Sequence, residues 1–310
     1  MMYYFQDPDG NFIEQFQTTG FDARTWELYI FAALHELGYG FDRTYPAPDF
    51  LCQGIRGQFF IEAVTVNPTL QNGTNVEKGM PEDAAERTAY LESYMPIKYG
   101  SALFSKLKRH YWDLPHVSGK PIVLAIQDFH APHSMAITEP SLAPYLYGRQ
   151  FKAHHDLSGK LVITPNLIQE HRWENKVIPS GFFYQPGAEH ISAILTNAQG
   201  TMAKFNRIGY VAGFGSRLVE MVRTGTRYVH DPNASKSQPF SQRVNDADYH
   251  ETWVEGMNVY HNPQALVPLN PNTLPTAAHH SLRKDEMLGS FIPDFHPYGS
   301  RTLIHSCEHL

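Results

Sequence analysis

Residues 58–66, QFFIEAVTV, set Phe59, Ile61, Ala63 and Thr65 on one side and Phe60, Glu62, Val64 and Val66 on the other. A run that is apolar on both alternating faces suits a strand covered on both sides of a sheet, and Asn67-Pro68 stops it. Upstream, FDARTWELYIFAALHELG (21–38) predicts an amphipathic helix ended by Gly38, with Ala23, Glu27, Ile30, Phe31, Leu34 and Leu37 on one face. FDRTYPAPDFLCQ reads as a Pro-rich turn into a short strand, and GIRG as the break of a hairpin. Residues 68–84 read as a loop, 86–112 as a long helical stretch broken near Pro96, and IVLAIQDF as a further apolar strand. The order helix, strand, strand, helix, strand is an α/β pattern.

Beyond residue 130 the periodicity weakens. Residues 134–148 predict a helix, KLVITP, SGFFY and HISAILT short strands, and RLVEMVRTG a short helix. From about residue 230 the chain is rich in Pro, Asn and His with little periodicity, and no internal repeat or low-complexity linker interrupts it. This divides the chain into an α/β core over 1–135 and a C-terminal α+β elaboration over 136–310 that packs on the core and is not an independent domain.

Composition narrows the picture. At 310 residues the chain can bury a large core, and 42% hydrophobic with 18% charged residues argues against disorder. A net charge of -6 advertises no global basic field for nucleic acid, although a cleft holding divalent cations can be locally positive on an acidic protein. Two cysteines, Cys52 and Cys307, imply no disulfide framework and a reducing compartment. Neither a signal peptide nor an apolar window of membrane-spanning length is visible, so the expectation is a cytoplasmic protein with no membrane partner. There is no GxSxG elbow, Walker-type loop or dinucleotide fingerprint.

The chemical clue is Glu62. A carboxylate inside an apolar strand is costly unless something satisfies it: a metal ion, a base or a hydrogen-bond donor. Asp49, in PAPDF, precedes it on the neighbouring strand, and a hairpin can set the two acids side by side. Adjacent carboxylates repel, and a hard divalent cation relieves the repulsion.

Pro48-Asp49 followed by Glu62-Ala63-Val64 resembles the motif of the PD-(D/E)XK nuclease-like superfamily. The Trp26-Glu27 helix upstream and the helix leading to PIVLAI are similar to that family's αβββαβ core, a central mixed sheet flanked by helices. The resemblance implies that Asp49, Glu62 and the carbonyl of Ala63 hold Mg²⁺ or Mn²⁺, that Glu27 completes the site, and that the substrate is a phosphodiester of DNA or RNA. The family's lysine belongs two residues after Glu62, where this chain has Val64; the resemblance then implies a replacement from the next helix, Lys98 or Lys106. Through SGFF, HISAIL and AKFNRIG the whole chain is also similar to a bacterial group of this layout. An endonuclease-like phosphodiesterase, a setting in restriction or defence and a homodimer follow from family analogy. The alternative is a nuclease fold that has lost cleavage and serves as a nucleic-acid-binding or interaction module.

Plainer readings stand beside these. Asp49 after proline is ordinary turn chemistry, Glu27 can pair with Arg24 or His35, and Glu62 can belong to a buried pair with Lys or Arg. Lys106, Lys108, Arg109 and His110 read as a solvated helix face, or as phosphate contacts beside Tyr111 and Trp112; Lys204 and Arg207 are equally open. Among 17 histidines, His305-Ser306-Cys307-Glu308-His309 offers soft metal ligands without a companion cysteine pair. That leaves room for an enzyme of another class in the C-terminal half. Asp128 and His130, closing the last core strand, are the histidine-side candidates near the cleft.

Overall fold

The structure, a computed structural model, describes residues 10–18, 20–216 and 218–306. Helix α1 spans Phe21–Glu36. From Thr25 to Leu34 every residue of it is buried except Glu27, so it is a core helix with one polar window. Gly38, at φ +80°, turns the chain where other residues would be strained.

Eight strands form one mixed sheet in chain order: β1 (Gly40–Asp42), β2 (Phe50–Gly54), β3 (Gly57–Val66), β4 (Ile122–Asp128), β5 (Ala193–Thr196), β6 (Asn258–His261), β7 (Ala278–Leu282) and β8 (Leu288–Phe291). The β1–β2 and β2–β3 pairs are antiparallel, whereas β3–β4 and β4–β5 are parallel. Strands β5 to β8 come from beyond residue 135, so both halves of the sequence build the same sheet. The central β4 is buried at all of its 7 residues, as its unbroken apolar run requires.

The two sheet faces carry two cores. On one, Trp26, Tyr29 and Leu34 of α1 pack on Phe59, Ile61, Val123 and Ala125, and the Trp26 indole donates to the Ala125 carbonyl at 2.8 Å. On the other, helices α2 (Met95–Leu107) and α3 (Thr138–Tyr147) bring Leu103, Leu107, Leu142 and Leu146 onto Phe60, Val64, Leu124 and Ile126. Before α2 the chain runs through a helix at Ala84–Ala89, capped by Asp83, and a π-turn at Tyr90–Tyr94. Pro96 then falls at the start of α2, and the Glu92 carbonyl four residues before it is bonded by Nδ1 of His171 at 2.7 Å. The predicted break is thus a change of helical pitch just before the proline.

Three expectations fail. SGFFY is not a strand: Gly181, at φ +74°, starts a short 3₁₀ turn at Phe182–Tyr184 that buries both phenylalanines. RLVEMVRTG is not a helix: Val219–Arg227 is the middle strand of a second, three-stranded sheet with Gln238–Arg243 and Pro297–Ser306. A buried ionic cluster ties this sheet to helix α4 (Met202–Gly209): Arg207 grips both oxygens of Glu251 at 2.8 and 2.7 Å and Thr302 at 2.7 Å, while Arg223 holds Glu255 at 2.6 Å. Segment 68–84, expected to be loop, holds a small hairpin of Thr69–Gln71 and Thr74–Val76. Among the described residues no helix is long and apolar enough to cross a membrane.

Candidate active site

The backbone ladder between β2 and β3 ends at the pair Phe50–Ile61. Beyond it the edge of β3 is left to side chains, and Asp49 takes over: its Oδ2 accepts the Ala63 N–H at 2.7 Å. In return the Asp49 N–H donates to Oε2 of Glu62 at 3.2 Å. The hairpin therefore does set the two acids together. The Ala63 carbonyl leaves the strand on the same side as its N–H, as in any extended residue, which directs it toward Asp49.

Glu62 shares the strand face of Phe60 and Val64 and is 5% exposed. Its Oε1 is held by Lys106 Nζ at 2.5 Å and by the Tyr111 hydroxyl at 2.7 Å. Lys106 is the penultimate residue of α2; Tyr111 opens the 3₁₀ turn that follows His110. Glu27 approaches from α1 on the other sheet face, paired with Arg24 at 2.6 Å. Glu27, Asp49, Ala63 and Lys106 all line one cleft of about 240 Å³, together with Thr65 and Ser105.

The charges in this cleft act on one another. Burial, then the charges of Glu62 and Glu27, push the Asp49 carboxyl up to about 7, against the Ala63 N–H and Lys106. Burial also raises Glu27, against Arg24 and Arg43. The Tyr111 phenol is pushed up by burial and by its bond to Glu62.

Among the described residues no three His, Cys, Asp or Glu side chains are grouped as a ligand set for a metal ion. Two carboxylates and a strand carbonyl are nonetheless an all-oxygen donor set. Mg²⁺ takes one or two carboxylates, keeps waters and shares substrate oxygens. Asp49, whose carboxyl is raised by burial and then by its acidic neighbours, is the group a cation would relieve. On donor chemistry the residues fit such an ion.

The other candidates lie elsewhere. Lys98 does not reach the acids; it donates to the Asn67 carbonyl at 2.6 Å and to Thr69 Oγ1 at 3.2 Å, in an adjoining cleft. Asp128 and His130 are fully buried and bonded to each other at 2.6 Å, with Tyr90 on Nε2 of His130 and Tyr99 on Oδ2 of Asp128. Lys108 and Arg109 are exposed, and Lys204 and Arg207 belong to the buried ionic cluster. His305 is exposed on its strand, while Cys307 and His309 lie outside the described residues. Tyr111 was not foreseen as a donor to Glu62. Its only signal was a phenol placed shortly after a helix that already offered a lysine.

Compared with known proteins, the chain matches no family model, no curated protein and no solved structure.

Proposed function

We propose that the chain is a divalent-cation-dependent phosphodiesterase acting on DNA or RNA, built on a PD-(D/E)XK-like plan. The observation that carries this is the meeting of Asp49, Glu62 and Lys106 around the open edge of β3, with Glu27 lining the same cleft. Asp49 and Glu62, with the Ala63 carbonyl, are the residues that would hold Mg²⁺ or Mn²⁺. A bound cation of this kind polarises a phosphoryl oxygen and acidifies a coordinated water. Lys106, arriving from the helix and not from the strand, supplies the positive charge that Val64 does not. Its ammonium is 2.5 Å from Glu62, close enough to orient a water at the acids or to donate to a non-bridging phosphate oxygen. Glu27 adds a second acidic wall and is a candidate proton acceptor, since burial raises its pKa.

A second reading, a nuclease fold that binds without cutting, is favoured by one observation: Lys106 and Tyr111 both converge on Glu62 Oε1 and neutralise it without any ion. Purified protein incubated with supercoiled plasmid, single-stranded DNA and RNA, with Mg²⁺ or Mn²⁺, separates the two. Cleavage that needs the cation and disappears in Asp49→Asn and in Glu62→Gln supports the enzyme. Retained binding with no cutting of any substrate supports the module.

A further inference from the structure

The cleft that holds Lys98 adjoins the acidic one. Thr65 and Ala102 line both, so the two are continuous along the end of β3 and the side of α2. The larger cleft measures about 570 Å³, and its charged lining is Lys78, Lys98 and Lys176 against one acid, Glu174. On a chain of net charge -6, this is a local reversal of sign. Among the described residues none of these three lysines has a carboxylate in an ion pair, unlike Lys106 and Lys204. Three clustered ammonium groups against a single lining carboxylate repel one another more than they are neutralised, and a polyanion relieves that.

The cleft also carries an aromatic platform. Trp173 and Lys176 are cross-strand partners in the tight hairpin of Glu170–Trp173 and Lys176–Pro179, where Glu174 takes a φ of +52°. The hairpin presents the indole and an ammonium side by side. Tyr94 meets the Trp173 ring edge-on at 5.4 Å and Lys78 stands 4.2 Å from its centroid, which fixes the ring while leaving it partly exposed. Lysines paired with a partly exposed indole are what an unpaired nucleotide strand uses: ammonium groups for the phosphates, a ring face for a base. A cleft of this volume has room for a small ligand or a segment of single strand, not for a double helix.

We infer that the Lys78–Lys98–Lys176 cleft, with Trp173 as its stacking platform, binds single-stranded nucleic acid and leads it to the carboxylate cleft. The path to the carboxylates rests on the nuclease reading; the binding does not. The test is fluorescence anisotropy in EDTA, where no cation-dependent cutting occurs. The probes are labelled oligothymidylate and oligouridylate of about a dozen nucleotides, a duplex of equal length, and a mononucleotide. The two single strands distinguish DNA from RNA as the source.

The variants are Lys78→Gln/Lys176→Gln and Trp173→Leu, each checked for an unchanged melting temperature. Wild type should bind a single strand well above duplex and mononucleotide. The double lysine variant should weaken this and lower the salt slope by about 1.4, two phosphates' worth; Trp173→Leu should weaken it about tenfold at every salt concentration. No single-strand binding by wild type, equal binding of duplex or mononucleotide, or unchanged affinity in both variants overturns the inference. Cation-dependent cleavage with unchanged affinity in both variants removes this inference and keeps the enzyme; affinity lost as predicted, with no cleavage of any substrate, does the reverse.

Discussion

Lys106 Nζ lies 2.5 Å from Oε1 of Glu62, across 44 positions of sequence and from a helix onto a central strand. Glu62 is almost wholly buried while Lys106 is 29% exposed at its side chain. The acid is thus the fixed partner and the lysine the one that faces the cleft. The pair joins the sheet to α2 at the point where Asp49 caps the edge of β3, and it is the reason to expect chemistry here.

If Lys106 supplies the charge that acts on the phosphate, Lys106→Met should lower kcat on the order of 100-fold. Lys106→Arg should recover part of it, because the positive charge is kept. Affinity for an uncut oligonucleotide should change little, since three other lysines line the adjoining cleft. Steady-state kinetics beside anisotropy checks this. Equal losses in kcat for Met and Arg, or a loss confined to KM, would point to a structural role.

Asp49 has a pH signature with a definite sign. Its carboxyl is raised from 3.8 to about 7 in the folded chain by burial and by Glu62 and Glu27. Between those two values the folded protein keeps a proton that the unfolded chain has released. The stability this contributes is present below the lower value and is lost as pH rises through the higher one. In EDTA the melting temperature of wild type, taken relative to Asp49→Asn, should therefore fall between about pH 4 and pH 7. An identical slope in the variant contradicts the assignment.

The ionic cluster at the second sheet predicts the opposite sign at lower pH. Burial alone would raise the Glu251 carboxyl, but Arg207, Lys204 and Arg223 outweigh it and lower it from 4.5 to about 2. Its contribution is present above the upper value and is lost as pH falls through the lower. Glu251→Gln leaves Arg207 and Lys204, both buried, short of a counter-charge and should destabilise the protein by about 3–5 kcal/mol. Urea unfolding at neutral pH checks the magnitude; a change within about 0.5 kcal/mol, ordinary for a surface site, would be the contrary result.

How much of this was legible depends on whether a residue's neighbours in sequence are its neighbours in space. Glu62 stood out because it alone broke an apolar strand, and Asp49 because a hairpin is a local device. The two lysines were indistinguishable by type, yet they stand eight positions apart, about 12 Å along a helix, so they were never able to serve one point together. Only the docking of α2 on the sheet decides between them. The C-terminal strands were harder. β5 and β6 are four residues each, too short for periodicity to speak. In Val219–Arg227 the inward side carries Met221 and a fully buried Arg223. A buried arginine satisfied by distant Glu255 and Ser300 erases the alternation that marks a strand.

In the proposed site Asp49 and Glu62 jointly hold a hard divalent cation, which calorimetric titration of the metal-free protein with Mg²⁺ or Mn²⁺ would reveal. The prediction is saturable binding by wild type that tightens as pH rises through about 7, the value at which Asp49 gives up its proton, and that is lost in both Asp49→Asn and Glu62→Gln. No saturable binding by wild type above that pH, or the same binding in the two variants, would contradict it.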